Sequence, residues 1–150
     1  MTGQDQKNKA IRYSEFLVEV PFLDRLDILV EPDAEAPRLV VDLKREHLNG
    51  GGQAHGGLLM TMLDMAMAAA ARSASLSKGE QQFYVTVEMK TNFIRPGGIV
   101  GGKLTASGRL RHTTKTMAFC EGDLVDGEGK LVATSSGTFK LVGRAISDAP

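Results

Sequence analysis

Between Leu58 and Ala71 only Thr61 and Asp64 interrupt a run of apolar residues, so a helix through this stretch is hydrophobic on every side. Such a helix belongs inside a protein, wrapped by other elements. It is preceded by HLNGGGQAHGG (47–57), a polar and glycine-dense loop. Earlier in the chain Tyr13, Phe16, Leu17 and Val20 fall at i, i+3, i+4 and i+7, which predicts a short amphipathic helix over 11–20 that Pro21 stops. LDILVEPD (26–33) and RLVVDLK (38–44) read as strands around the turn-forming EPDAEAP segment, a hairpin or a loosely connected pair. The long helix is predicted to end near Ser77–Gly79, where SKGE supplies a break. The pattern then changes to a period of two. Phe83, Val85, Val87, Met89 and Phe93 alternate with Tyr84, Thr86, Glu88, Lys90 and Asn92, a half-buried strand that ends at Arg95-Pro96-Gly97-Gly98. Leu104, Ala106 and Leu110 against Thr105, Ser107, Arg109 and Arg111 predict the next strand. Residues 115–126 give a third, and the DGEG turn (126–129) leads to a fourth from Lys130 to Val142. Strands joined by short loops pair antiparallel, so the expected fold is α+β: a curved antiparallel sheet of about six strands wrapped around one long helix. Residues 1–9 and 143–150 read as loose tails of this single domain (1–150).

Composition narrows the partners. A chain of 150 residues with 42% hydrophobic content can bury a core without metal or disulfide help. Its 18 basic and 18 acidic residues cancel, which argues against nucleic-acid binding through phosphate neutralisation. The charge is nevertheless uneven: Lys90, Arg95, Lys103, Arg109, Arg111 and Lys115 lie between Met89 and Cys120 with no acid among them, which points to a local anionic partner. The single cysteine, Cys120, excludes an internal disulfide framework and fits a reducing compartment. Beside Ala118 in a strand, it reads as apolar filler. The polar start MTGQDQKNKA lacks an apolar signal region, so a cytoplasmic location is expected. No membrane partner is expected either, because the run 58–71 is shorter than the roughly 20 residues a bilayer span needs.

Asp64 is the residue that most needs explaining, because an ionised carboxylate in an apolar helix is costly unless hydrogen-bonded or paired. Metal chemistry does not fit: His47 and His55 are not at a helical i, i+4 spacing, and no Cys or clustered carboxylate joins them. The NGGG segment has no following Gly-Lys-Ser/Thr, so it is not a phosphate-binding loop of that type.

The same region carries a motif, N-x-x-G-x-x-H-G-G with an acid eight residues after the first glycine of the pair. It comprises Asn49, Gly52, His55, Gly56, Gly57 and Asp64, with His47 just ahead. TVEMKTNFIRPGGIVGG (86–102) and GEGKLVATSSGTF (127–139) add a second block and a last hairpin. In these blocks the chain resembles the hotdog-fold thioesterases of the phenylacetyl-CoA thioesterase-like branch, over about residues 26–142. One departure is Ala68, where relatives often have glycine. The resemblance implies hydrolysis of an acyl-CoA thioester, with no cofactor beyond the coenzyme A of the substrate. By resemblance, Asp64 is general base or nucleophile, the Gly56 N–H is an oxyanion donor, and Gly57 contacts substrate. Asn49 orients the carbonyl or the attacking water, His55 helps fix the carbonyl, and Thr86 stands near the nucleophilic water. Homodimers that pair again into tetramers are also implied.

The residues themselves leave alternatives. Free N–H groups and partial positive charge at a helix N-terminus suit an oxyanion, and a glycine lets substrate approach closely. Yet a glycine pair also permits tight entry of the helix under a sheet. A partly buried carboxylate becomes a stronger base as its pKa rises, yet Asp64 could be structural. Asn49 could instead form an Asx turn and His55 cap the loop. Arg109, Arg111 and Lys115, with Lys103, are candidates to meet the phosphates of coenzyme A, against a solvated strand face. The competing functions are a non-catalytic acyl-CoA-binding module and a hydratase or dehydratase on the same fold. Asp64 on the central helix disfavours the latter. Finally, Gly56 and Asp64 are separated by about 12 Å along one helix. Reacting atoms must approach to about 3–3.5 Å, so one thioester cannot use both from the same chain. A second copy of the helix across a two-fold axis is therefore expected to complete the site.

Overall fold

The computed structural model describes residues 9–32, 36–76 and 83–143. In chain order these form α1 (Tyr13–Phe16), α2 (Pro21–Arg25), β1 (Leu29–Glu31), β2 (Arg38–Asp42), a 3-10 turn (Arg45–His47), α3 (Gly56–Leu76), β3 (Phe83–Phe93), β4 (Lys103–Thr113), β5 (Met117–Asp126) and β6 (Leu131–Val142). The six strands make one sheet in the order β1-β2-β4-β5-β6-β3, and every neighbouring pair is antiparallel. It curls around α3, the hotdog architecture that the sequence implies. Leu58, Leu59, Met62, Leu63, Ala66, Met67 and Ala69–Ala71 are all buried, which is why this helix needs no polar face. Its Thr61 hydroxyl donates to the Gly57 carbonyl one turn back.

Close approach of helix and sheet is set by glycines. A Cβ on Gly108 would lie 2.2 Å from the Ala66 carbonyl oxygen and 2.8 Å from the Met67 Cα, so α3 crosses β4 backbone to backbone. Gly122, paired directly with Gly108, and Gly137 continue this seam beneath Leu63 and Met67.

Three expectations are corrected. The helix expected over 11–20 is only the turn Tyr13–Phe16, and Pro21 opens α2 as its first residue instead of merely ending a helix. The fixed φ of proline is pre-organised for that position. Because α2 extends to Arg25, the strand expected over 26–33 shrinks to Leu29–Glu31. In β3, Val87 is 55% exposed, whereas Tyr84 and Met89 pack against the core. The cause is a register shift between Thr86 and Glu88, which exchanges the inward phase from even to odd positions partway along the strand. The expected helix end near 77–79, turn positions 33–35 and most of both tails lie outside the described residues. Among those described, no helix is long and apolar enough to cross a membrane.

Candidate active site

The loop before α3 is built by side chains that bond to their own backbone. Asn49 Oδ1 accepts the N–H groups of Gly51 at 2.9 Å and Gln53 at 3.1 Å, while its own N–H donates to the Gln53 carbonyl. Two donors facing one atom fix it as the oxygen, so the Asn49 amide NH2 points away from the loop with its donors available. Beneath this loop, buried His47 accepts the Lys44 N–H at Nδ1 and lies 2.7 Å through Nε2 from the Leu26 carbonyl. A carbonyl needs a donor, so His47 carries its proton on Nε2 and serves as a strut.

His55 is the cap of α3. Its Nδ1 accepts the Gly57 N–H at 2.8 Å, and its carbonyl accepts from Leu58 and Leu59. The Gly57 N–H is thus occupied. No acceptor among the described residues takes the Gly56 N–H, an open donor at the positive end of a 21-residue helix. A Cβ at position 56 would meet only the Phe93 ring, at an ordinary 3.5 Å, so packing within the chain does not require glycine there. Gly56 and Asn49 line one cleft of about 480 Å³ together with Phe93, Ile94, Arg95 and Pro96.

Asp64 lies in a different cleft, of about 290 Å³, between α3, β3 and the N-terminal segment. Its floor is the helical stripe Asp64, Met65, Ala68 and Arg72, and its walls include Tyr13, Leu17, Phe83 and Val85. Thr86 Oγ1 donates to Asp64 Oδ1 at 2.6 Å. Thr86 belongs to the inward set of β3 ahead of the register shift, which is how a residue on the polar side of the alternation reaches the helix. Burial pushes the Asp64 carboxyl above the ordinary carboxylate value, and the Thr86 hydrogen bond pulls against it. No cation among the described residues forms an ion pair with it.

The basic candidates stand apart from both clefts. Arg109 pairs with Glu121 at 2.9 Å and Asp123 at 2.7 Å, Arg111 approaches Glu121 at 3.8 Å, and Lys103 approaches Glu31. Lys115 lies between β4 and β5. Two other cations line the clefts: Arg95, which the sequence offered only as part of the basic stretch, and Arg72, which was not a sequence candidate because it sits just past the apolar run and carries no motif. Cys120 is buried with Met67 and Phe139, and its thiol is pushed up to about 11 by burial.

The sequence profile of the thioesterase superfamily matches residues 51–133, from the loop before α3 to the start of β6. A Pseudomonas aeruginosa protein named provisionally as an esterase is 37% identical over 124 residues, covering 81% of this chain and 88% of its own. The acyl-coenzyme A thioesterase PaaI of Escherichia coli is 32% identical over 100 residues, covering 67% and 66%. The solved structure of Escherichia coli PaaI superposes with a TM-score of 0.75 at 25% identity, covering 88% and 91%. A Bacillus halodurans protein solved with CoA shares the fold, with a TM-score of 0.73 at 21% identity over 89% and 85%.

Proposed function

This chain belongs to the thioesterase superfamily, and we propose that it hydrolyses an acyl-CoA thioester using Asp64 of one subunit and the Gly56 N–H of another. The observation that carries the reading is Asp64 itself: a half-buried carboxylate, unpaired by any described cation, held above the ordinary carboxylate value by burial and facing a cleft. Thr86 holds Oδ1 and leaves Oδ2 to take a proton from water. That water attacks the thioester carbonyl carbon, and the oxyanion forms against the Gly56 N–H, with the outward amide of Asn49 as a second donor. Collapse breaks the carbon–sulfur bond. The proton held by Asp64 passes to the departing thiolate, giving a free acid and coenzyme A. Direct attack by Asp64 to give a mixed anhydride, followed by hydrolysis, balances equally. His55 acts by capping α3, so that the Gly56 N–H is left for substrate.

Within one chain Gly56 and Asp64 line separate clefts, in keeping with the about 12 Å between them along the helix. A homodimer, with dimers pairing into tetramers, is therefore part of the proposal. For the phosphates of coenzyme A the chain offers Arg109, Arg111 and Lys115, with Arg95 at the Gly56 cleft. At Arg109 a phosphate would compete with Glu121 and Asp123. The acyl-CoA class rests on the name of PaaI and on the CoA in the Bacillus halodurans structure.

Asp64→Asn tests the reading, since the amide is nearly isosteric but cannot take the proton. Thiol release from the best substrate in an acyl-CoA panel is expected to fall about 10²–10⁴-fold with folding intact. Hydrolysis at the wild-type rate would make Asp64 structural and leave acyl-CoA binding without catalysis by this residue.

A further inference from the structure

The Asp64 cleft has a second charged end. Arg72 lies on the same stripe of α3, eight residues and so about 12 Å further along, and it lines the cleft with Tyr13, Phe83 and Tyr84. Its Nε is buried with no hydrogen-bond partner, and no carboxylate among the described residues forms an ion pair with it. Its guanidinium carbon stands 4.6 Å from the centre of the Phe83 ring. A partly buried guanidinium without an anion carries an uncompensated desolvation penalty. Consistently, burial draws its pKa down, opposed only by Tyr13.

Asp64 does not provide the missing anion. Neither group shifts the other, although both face the same cleft. Between them the floor is Ala68, whose methyl leaves the middle open, and the side walls are Leu17, Val20 and Val85. The cleft thus runs from a carboxylate, through apolar walls, to a guanidinium that no carboxylate among the described residues pairs with. Its polarity describes the group it would receive. The thioester carbonyl lies at the Asp64 end, an aliphatic stretch lies over Ala68, and an anion at the far end meets Arg72.

We infer that Arg72 selects acyl groups with a terminal carboxylate, making the preferred substrates the mono-CoA thioesters of short dicarboxylic acids. Guanidinium matches carboxylate in a planar, two-bond geometry, which the terminal nitrogens of Arg72 can offer. The inference rests on Asp64 marking the hydrolytic end of the cleft. It adds the acyl class, which the family leaves open.

The test compares glutaryl- and adipyl-CoA with valeryl- and hexanoyl-CoA on wild type, Arg72→Gln and Arg72→Lys, scoring both thiol release and equilibrium binding. The wild type should favour the dicarboxylic pair. Arg72→Gln should lower kcat/KM for that pair about tenfold to a hundredfold, as expected for a lost hydrogen bond to a charged group, while leaving the monocarboxylic pair within about twofold. Arg72→Lys should recover part of the preference, because it keeps the charge without the fork. If all four substrates are hydrolysed without preference, or Arg72→Gln lowers both pairs equally, the inference is overturned while the thioesterase reading stands. If none is hydrolysed but glutaryl-CoA binds in an Arg72-dependent way, the anion pocket stands and the hydrolytic reading fails. If glutaryl- and valeryl-CoA bind alike with and without Arg72, the anion pocket fails whatever the hydrolysis result.

Discussion

Asp64 and Thr86 tie the stability of this protein to its proposed chemistry. Burial raises the Asp64 carboxyl in the folded state, so the native protein holds this proton more tightly than the unfolded chain. Ionisation at this position therefore subtracts stability as the pH climbs past the ordinary carboxylate value, and the loss is absent in acid. Asp64→Asn is expected to melt above wild type at neutral pH and to lose that advantage near about pH 3, below the ordinary carboxylate value; an advantage that persists in acid would sever it from ionisation. The Thr86 bond works the other way, favouring the carboxylate. Thr86→Val should thus move the acid limb of the kcat profile to higher pH, since a base with a higher pKa needs a higher pH to be empty of its proton. A limb that stays in place would assign that limb to another group. Asn49 and His55 show why residue-level reading from sequence stops short. For Asn49 the loop role and the substrate role are compatible, because the oxygen serves the loop and leaves the amide NH2 outward. His55 caps through one nitrogen, a choice that residue type alone leaves open.

At the scale of elements, a long run apolar on every side revealed α3, while alternation and turn residues revealed the last four strands, because long elements leave long signals. Short elements did not repeat enough: α1 has four residues and β1 three. The β3 phase was misread for another reason, since a single extra residue at the register shift reverses the facing of everything beyond it while leaving the composition unchanged. That same shift allows Thr86 and Met89 to face inward from one strand. The glycine seam was equally hidden, since Gly within a strand signals a break in pattern and not a helix lying on it. Its energetic weight can be measured. Gly108→Ala would push a methyl into the Ala66 carbonyl, and backbone cannot rotate aside as a side chain can. The expected loss is about 3 kcal/mol in urea unfolding, at the upper end of overpacking effects. Gly127→Ala serves as control, where the nearest atom to a new Cβ is 3.8 Å away. Equal midpoints for the two variants would mean that α3 and β4 can separate without penalty.

For the whole molecule, the proposed shared site requires a second copy placed so that the Asp64 cleft of one chain meets the Gly56 cleft of the other. β3 is the last strand of the sheet, and on its far side no described strand pairs with it. Along and just beyond it Val87, Phe93 and Ile94 are each more than half exposed. An unpaired strand edge with apolar side chains is a template for another chain. β3 also carries Thr86, which holds Asp64, and Phe93, which borders Gly56, so a second copy joined along this strand would have both half-sites close to the junction. Subunit mixing tests this arrangement. Gly56→Pro removes only the N–H, because proline is well accepted at the first helical position and a Cβ there has room against Phe93. Asp64→Asn removes only the base. Each variant alone should be nearly inactive, since every site in its homodimer lacks the same part. After equal mixing, half the dimers are mixed and each holds one site with both parts intact, so about a quarter of wild-type activity should return. Subunit exchange followed by mass spectrometry of differently tagged chains confirms that mixed dimers have formed. Sites contained within one chain would instead leave the mixture as inactive as its components, because every subunit would still lack either Asp64 or the Gly56 N–H.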